Sequence, residues 1–415
     1  MENFVRTRLS GMMFLEFFVW GAWFVTLGTF LGSNLGASGA QIGMAFSTQS
    51  WGAIIAPFIV GLIADRYFNA ERILGVIHLA GAVLMYLMAN TTEFSVFFPY
   101  VLIYMILFMP TLALVNSISF RQMANPAEEF AKVRVWGTIG WIAAGLAISF
   151  VFSWDSASAI QQGLLSNTFL MGAVSSAILG VYCFTLPKTP PVVSRDAKVS
   201  VKEVLGLDAL NMLKDRNFLI FVMASIFICI PLSFYYQYAN PFLIDVGVEN
   251  ATGIMTLGQL SEALFMLLIP FFLVRFGLKK TLLVGMLSWA VRYALFAYGN
   301  SGELMFMLII GIALHGLCYD FFFVTGQIYT DSKAGEKFKS SAQGLITLAT
   351  YGIGMLIGFW AAGLIADFYT IDGQQNWEMI WIIPAVFAVV VMIIFFFVFD
   401  DQEAEKQVQE EEVVV

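Results

Sequence analysis

Long apolar runs alternate with short polar connections along almost the whole chain. A helix crossing a bilayer needs about 20 apolar residues, and about twelve segments supply them: 9–31, 41–64, 72–90, 94–120, 131–153, 165–186, 217–240, 251–275, 280–298, 303–330, 338–366 and 377–399. The pattern predicts an all-α membrane protein of twelve transmembrane helices in two six-helix bundles. Pro187–Arg216 is the longest connection. It opens with Pro187, Pro190 and Pro191, and its stretch 201–210 has a short amphipathic pattern suited to a membrane interface. The expected organisation is an N-terminal bundle over 1–186, a cytoplasmic linker over 187–216, a C-terminal bundle over 217–399 and an acidic cytoplasmic tail over 400–415.

Composition agrees with the pattern: 59% of residues are hydrophobic and 12% charged, where soluble domains carry about 25% charged. The first span is long enough to cross and has no small-residue cleavage site after it, so no cleavable signal peptide is expected. The net charge of −8 misleads, because the tail from Asp400 holds seven acids and one lysine. Such a tail is expected to be solvated. Of 21 Lys and Arg, 20 fall at the N-terminus, at alternate connections or in the tail, while 32–40, 91–93, 154–164, 241–250, 299–302 and 367–376 hold none. Cytoplasmic connections carry the basic excess, so both termini are expected in the cytoplasm.

The remaining basic residue, Arg292, lies inside a span, as do Glu16, Glu262 and Asp320. Ionisable groups at that depth are expensive and usually line a bundle interior or a watery path. Asp320 therefore reads as part of the substrate and ion pathway of a transporter. Arg292 could instead neutralise a carboxylate as a structural ion pair. Other polar residues recur at helical spacing on one face. These are Arg134, Thr138 and Trp141 in the fifth span; Ser233, Tyr236, Gln237 and Asn240 in the seventh; Gln259 and Glu262 in the eighth; His315 and Tyr319, beside Asp320, in the tenth. Glu16, Trp20 and Trp23 repeat the spacing in the first, and Asn116 with Ser119 in the fourth. Ser233, Asn116 and Ser119 also suit plain interhelical packing. Trp20 and Trp23 suit either core packing or stacking on a ligand ring.

Several chemistries are excluded. Two histidines rule out a multi-histidine metal site, and Cys183, Cys229 and Cys318 all fall in apolar segments. No metal and no cofactor are expected. Gly137, Gly140 and Gly145, like Gly352, Gly354 and Gly358, lie in spans, where glycine permits close helix approach, and are not phosphate loops. No Walker sequence is present to power an ATP-driven pump, and no nucleophile–base constellation suggests an enzyme. Uphill transport would have to draw on an ion gradient, and carboxylates at depth can carry its protons.

Gly61-Leu62-Ile63-Ala64-Asp65-Arg66, followed by Glu71-Arg72, resembles the loop signature of the major facilitator superfamily. In that superfamily the Asp and Arg support a gate; residues 270–280 are its weaker partner in the second half. Residues 134–140 (RVWGTIG), 259–262 (QLSE), 292–299 (RYALFAYG) and 320–322 (DFF), with 110–119 and 206–209, together resemble the bacterial nucleoside:proton symporters. The likeness runs in order over nearly the whole chain. It implies the major facilitator fold, with nucleoside contacts from Arg134, Thr138 and Trp141, from Gln259 and Glu262, and from Tyr319 and Asp320. It also implies gate or structural roles for Asp65 and Arg66. Two departures stand out: Ser233 and Tyr236 occupy positions where the well-known permeases carry Gln and Asn, and His315 occupies that of a Tyr.

The expected function is proton-coupled nucleoside import by alternating access across a bacterial inner membrane. Asp320 and Glu262 are the candidate proton carriers. Arg134, Thr138, Trp141, Ser233, Tyr236, Asn240, Gln259, Glu262, His315, Tyr319 and Asp320 are the candidate substrate contacts. The partners are a nucleoside, a proton and the lipid bilayer, with no nucleic-acid polymer, and a monomer is expected. The rivals are transport of another polar solute such as a sugar, a sensor that binds without translocating, and, least supported, a membrane enzyme.

Overall fold

The computed structural model describes residues 3–59, 67–191 and 207–402. Asp65, Arg66 and most of the expected amphipathic linker stretch lie outside them. The described chain is almost entirely helical, and eleven of its helical stretches are long and apolar enough to cross a membrane.

The chain divides into two compact units, 1–204 with 249–256, and 205–248 with 257–415. The first contains α1 (Asn3–Gly21), α2 (Leu27–Leu35), α3 (Gly39–Ile59), α4 (Ala70–Ala89), α5 (Phe94–Arg121), α6 (Pro126–Leu146), a short α7 (Ala157–Gln161) and α8 (Ser166–Cys183). The second contains α9 (Arg216–Asp245), most of α10 (Ala251–Phe276), α11 (Leu278–Tyr298), α12 (Met305–Tyr319), α13 (Thr325–Thr347), α14 (Met355–Phe368) and α15 (Trp377–Val398).

The first predicted span, 9–31, is broken: α1 ends at Gly21 and α2 begins at Leu27. Nothing in the apolar pattern marks this break. At the break the Thr26 hydroxyl donates to the Trp23 carbonyl at 3.1 Å.

Glycines let backbones touch in the first unit. A Cβ on Gly140 would fall 2.1 Å from the Phe14 carbonyl oxygen, and one on Gly21 would meet the Trp141 backbone at 3.1 Å. This seam fastens α1 to α6. The first turn of α10 belongs to the same unit. Asp155 accepts from the Thr252 amide at 3.0 Å and from the Ser149 hydroxyl, and Ser149 in turn accepts from the Gly253 amide at 2.7 Å. A carboxylate is favourable at that helix end, where amides lack partners.

In the second unit, Asp215 caps α9 by accepting from the Phe218 amide at 2.8 Å. The Trp377 indole donates to Asp245 at 2.6 Å. An Asp-Gly pair closes the small hairpin Thr370–Ile371/Gln374–Gln375. Both turn residues, Asp372 and Gly373, have positive φ, as a two-residue hairpin turn requires. Asp400 and Asp401, the first residues of the expected acidic tail, are held by the second unit. Asp401 is buried against Lys333 at 2.8 Å and accepts from the Tyr329 hydroxyl, also at 2.8 Å. Asn217 donates to the Asp400 carbonyl at 2.8 Å. Lys333 offers a half-buried cationic partner that composition alone did not show; residues 403–415 lie outside the described chain.

Three spans contain π-helical turns, at Ala147–Val151, Asp320–Val324 and Leu348–Gly354. Such turns frequently mark functional sites, and the second begins at Asp320.

Candidate functional site

The second unit holds most of the candidate residues. Gly316 brings α12 against α10: a Cβ there would meet the Ser261 and Glu262 backbone at 2.4 Å. The Gly316 amide donates to the Ser261 hydroxyl at 3.0 Å. Gly258, one turn earlier on α10, faces His315, whose Cβ would lie 3.2 Å from an added Cβ. This contact sets the Glu262 backbone against α12 at Gly316, between His315 and the Tyr319–Asp320 pair in sequence. The Tyr319 and Tyr351 hydroxyls share a hydrogen bond of 3.0 Å.

Asp320 is fully buried, and neither carboxylate oxygen has a hydrogen-bond partner among the described residues. The Met266 backbone lies near it without completing a bond. A bare, buried carboxylate is strongly unfavourable when ionised, so this is a group built to hold a proton or to await a partner.

Arg292 is also fully buried. No carboxylate lies within ion-pair distance of it among the described residues, so the structural ion pair allowed by the sequence is not what holds it. Its guanidinium carbon lies 3.4 Å from the Tyr235 ring centre, a cation–π contact. Its Nη1 meets His315 Nδ1 at 3.2 Å, while Nε and Nη2 have no partner. The His315 ring stacks on Tyr235, 5.2 Å between centres.

Other candidates occupy less open positions. Ser233 donates to the Cys229 carbonyl at 2.9 Å and lies against Gly358 of α14. Gln237 donates to the Phe359 carbonyl at 2.8 Å. Both clamp α9 to α14. Asn240 is buried on α9, one turn beyond the half-buried Tyr236, and Gln259 is half-buried on α10.

In the first unit, Arg134, Thr138 and Trp141 share α6 and are half-buried. The Arg134 guanidinium lies over Phe17 at 4.2 Å, and Trp141 meets Trp20 edge-on at 5.4 Å. Trp20 therefore packs on Trp141, and Trp23 is sealed among Phe24, Tyr104 and Phe169. Glu16 is fully engaged: one oxygen accepts from Thr111, and the other meets His78 Nε2 at 2.7 Å. His78 Nδ1 bonds Ser176 at 3.1 Å, and the Ser176 hydroxyl donates to the His78 carbonyl at 2.8 Å.

Sequence reasoning passed over three residues that this geometry brings forward. Tyr351 lay in a stretch taken only as glycine packing. Tyr235 is adjacent to Tyr236 but on another face, and His78 had no recognisable partner along the chain. Residues 3–404 match the family described as nucleoside H+ symporter.

The chain belongs to the nucleoside H+ symporter family. YegT of Escherichia coli K12 is 45% identical over 394 residues, covering 92% of this chain and 91% of YegT. The xanthosine permease of the same organism is 33% identical, covering 93% of each chain. The crystal structure of the nucleoside transporter NupG superposes with a TM-score of 0.86 at 31% identity, over 97% of this chain and 100% of NupG. A D-xylose-proton symporter at 13% identity, with a TM-score of 0.75, shares the fold alone. This symporter thus has the major facilitator fold.

Proposed function

We propose that this chain imports nucleosides together with protons across the bacterial inner membrane by alternating access. Family membership supports nucleoside and proton as the transported pair. The observation within the molecule that carries the reading is Asp320: a sealed carboxylate with no hydrogen-bond partner among the described residues, at the start of a π turn. Protonation removes the cost of burying its charge, and release restores it. Glu262 is the second proton carrier. Within the second unit the solute contacts are Tyr319, Tyr236, Gln259, Asn240 and His315; the first unit, taken by itself, offers Arg134, Thr138 and Trp141 on α6. Ser233 shapes that wall through its bond within α9.

Both termini face the cytoplasm in this reading, because the basic residues flank that side. The protein works as a monomer, and its bound nucleoside leaves chemically unchanged.

Uptake of uridine and adenosine into proteoliposomes, with and without an inward proton gradient, tests the proposal. Gradient-dependent accumulation is expected. Binding without accumulation would make the chain a sensor; competition by sugars but not nucleosides would change the solute.

A further inference from the structure

His315 is buried on α12, and its surroundings restrict what it can do. Arg292 Nη1 lies 3.2 Å from His315 Nδ1. A guanidinium has donors only and stays charged in proteins. Nδ1 therefore offers its lone pair to Arg292, and the ring's single proton is on Nε2. A second proton on Nδ1 would turn that contact into donor against donor and set two cations side by side in a buried site. Tyr235 holds both partners: its ring lies under the guanidinium at 3.4 Å and stacks on the imidazole at 5.2 Å.

The groups around His315 are few. Arg292 faces it from α11 and Tyr235 from α9, α10 meets it with Gly258, and Tyr319 and Cys318 adjoin it on α12. Glu262 lies on α10 against Gly316, but among the described residues no carboxylate is hydrogen-bonded to or paired with the His315 ring. Nε2 has no protein partner among the described residues, and unlike the Asp320 oxygens it is not sealed in.

We propose that Arg292 is a positioning residue that fixes His315 as a neutral Nε2–H donor, so that this histidine selects solutes presenting a hydrogen-bond acceptor to it. The proposal rests on the reading of His315 as a solute contact. It deepens that reading by making the contact one-directional: His315 donates to a base carbonyl, a ring nitrogen or a sugar oxygen, accepts nothing, and carries no transported proton. A hydroxyl would both donate and accept, whereas an Nε2–H only donates.

The chain has only two histidines, which makes a direct measurement possible. Nitrogen-15 spectra of histidine-labelled protein in lipid, assigned with His315→Gln, read tautomer and charge without any transport step. His315 is expected to show one Nε2–H and no titration from about pH 5.5 to about 7.5, where an ordinary imidazole would change charge. In Arg292→Met it should mix tautomers and titrate. An Nδ1–H or an imidazolium in the unaltered protein overturns the proposal, whether or not any variant folds.

Nucleoside uptake supplies the second arm. His315→Leu should raise KM by roughly three- to ten-fold, the loss of one hydrogen bond, while His315→Gln, which keeps an N–H donor, recovers most of it. The predicted tautomer together with an unchanged KM in His315→Leu would overturn the selection role. Absence of nucleoside uptake in the unaltered protein would instead overturn the parent reading.

Discussion

The two units each bury ionisable groups, and they treat them in opposite ways. In the first, Glu16, His78, Thr111 and Ser176 come from α1, α4, α5 and α8 and close on one another, and both Glu16 oxygens and both His78 nitrogens are matched. One proton between Glu16 and His78 leaves the pair without net charge wherever that proton sits. In the second unit, among the described residues, Asp320 has two unmatched oxygens and Arg292 two unmatched nitrogens. A closed network of four helices ties a bundle together. An open set keeps its stabilisation in reserve for a proton or a solute. Depth in the membrane is thus a poor guide to role, whereas satisfaction is a good one.

The comparison can be broken most directly at Asp320. Asp320→Asn is expected to abolish gradient-driven accumulation while leaving nucleoside binding partly intact and the thermal midpoint unlowered. Accumulation at the normal ratio would remove Asp320 from coupling. The opposite behaviour belongs to the first unit. Glu16→Leu or His78→Leu leaves one member of a buried pair alone, which costs about 3–5 kcal/mol. A large fall in thermal midpoint in detergent is therefore expected, and an unchanged midpoint would mean that the network does not hold the bundle.

Trp141→Ala should weaken nucleoside binding by about 1–3 kcal/mol, the scale of a lost aromatic stack on a base. Calorimetry that finds no change would make Trp141 only a neighbour of Trp20. The smallest effect is expected at Ser233, whose hydroxyl is spent on the Cys229 carbonyl of its own helix and, at 3.4 Å, on the Met355 carbonyl of α14. Ser233→Ala should shift nucleoside affinity by less than about 1 kcal/mol, and a larger loss would mean that the hydroxyl turns to the solute.

Much of this was legible along the chain. The apolar runs located the spans, because the bilayer demands length and apolarity together. The glycines of α6 read correctly as a packing seam, since their spacing puts Gly137 and Gly140 on the side where Phe17 and Phe14 approach. Asp320, Glu262 and Tyr319 stood out as polar positions that lipid would not tolerate. What stayed hidden depends on partners distant in sequence. Nothing near Glu16 announces His78, and nothing near Arg292 says that its companions are an imidazole and a phenol ring. The gap between α1 and α2 and the three π turns were equally silent, because a local change of hydrogen-bond register leaves the apolar pattern intact.

One such change of register bears on the tenth span as a mechanical object. A π turn fits an additional residue into the coil, and each residue of an α-helix accounts for about 100° of rotation. In an unbroken α-helix the stripe of side chains through His315 and Tyr319 would run on into Gly326 and Thr330; the additional residue turns those positions away by about 100°. Along one continuous axis the span is two rods spliced out of phase. Asp320, whose carbonyl accepts from the Thr325 hydroxyl at 3.4 Å, occupies the splice.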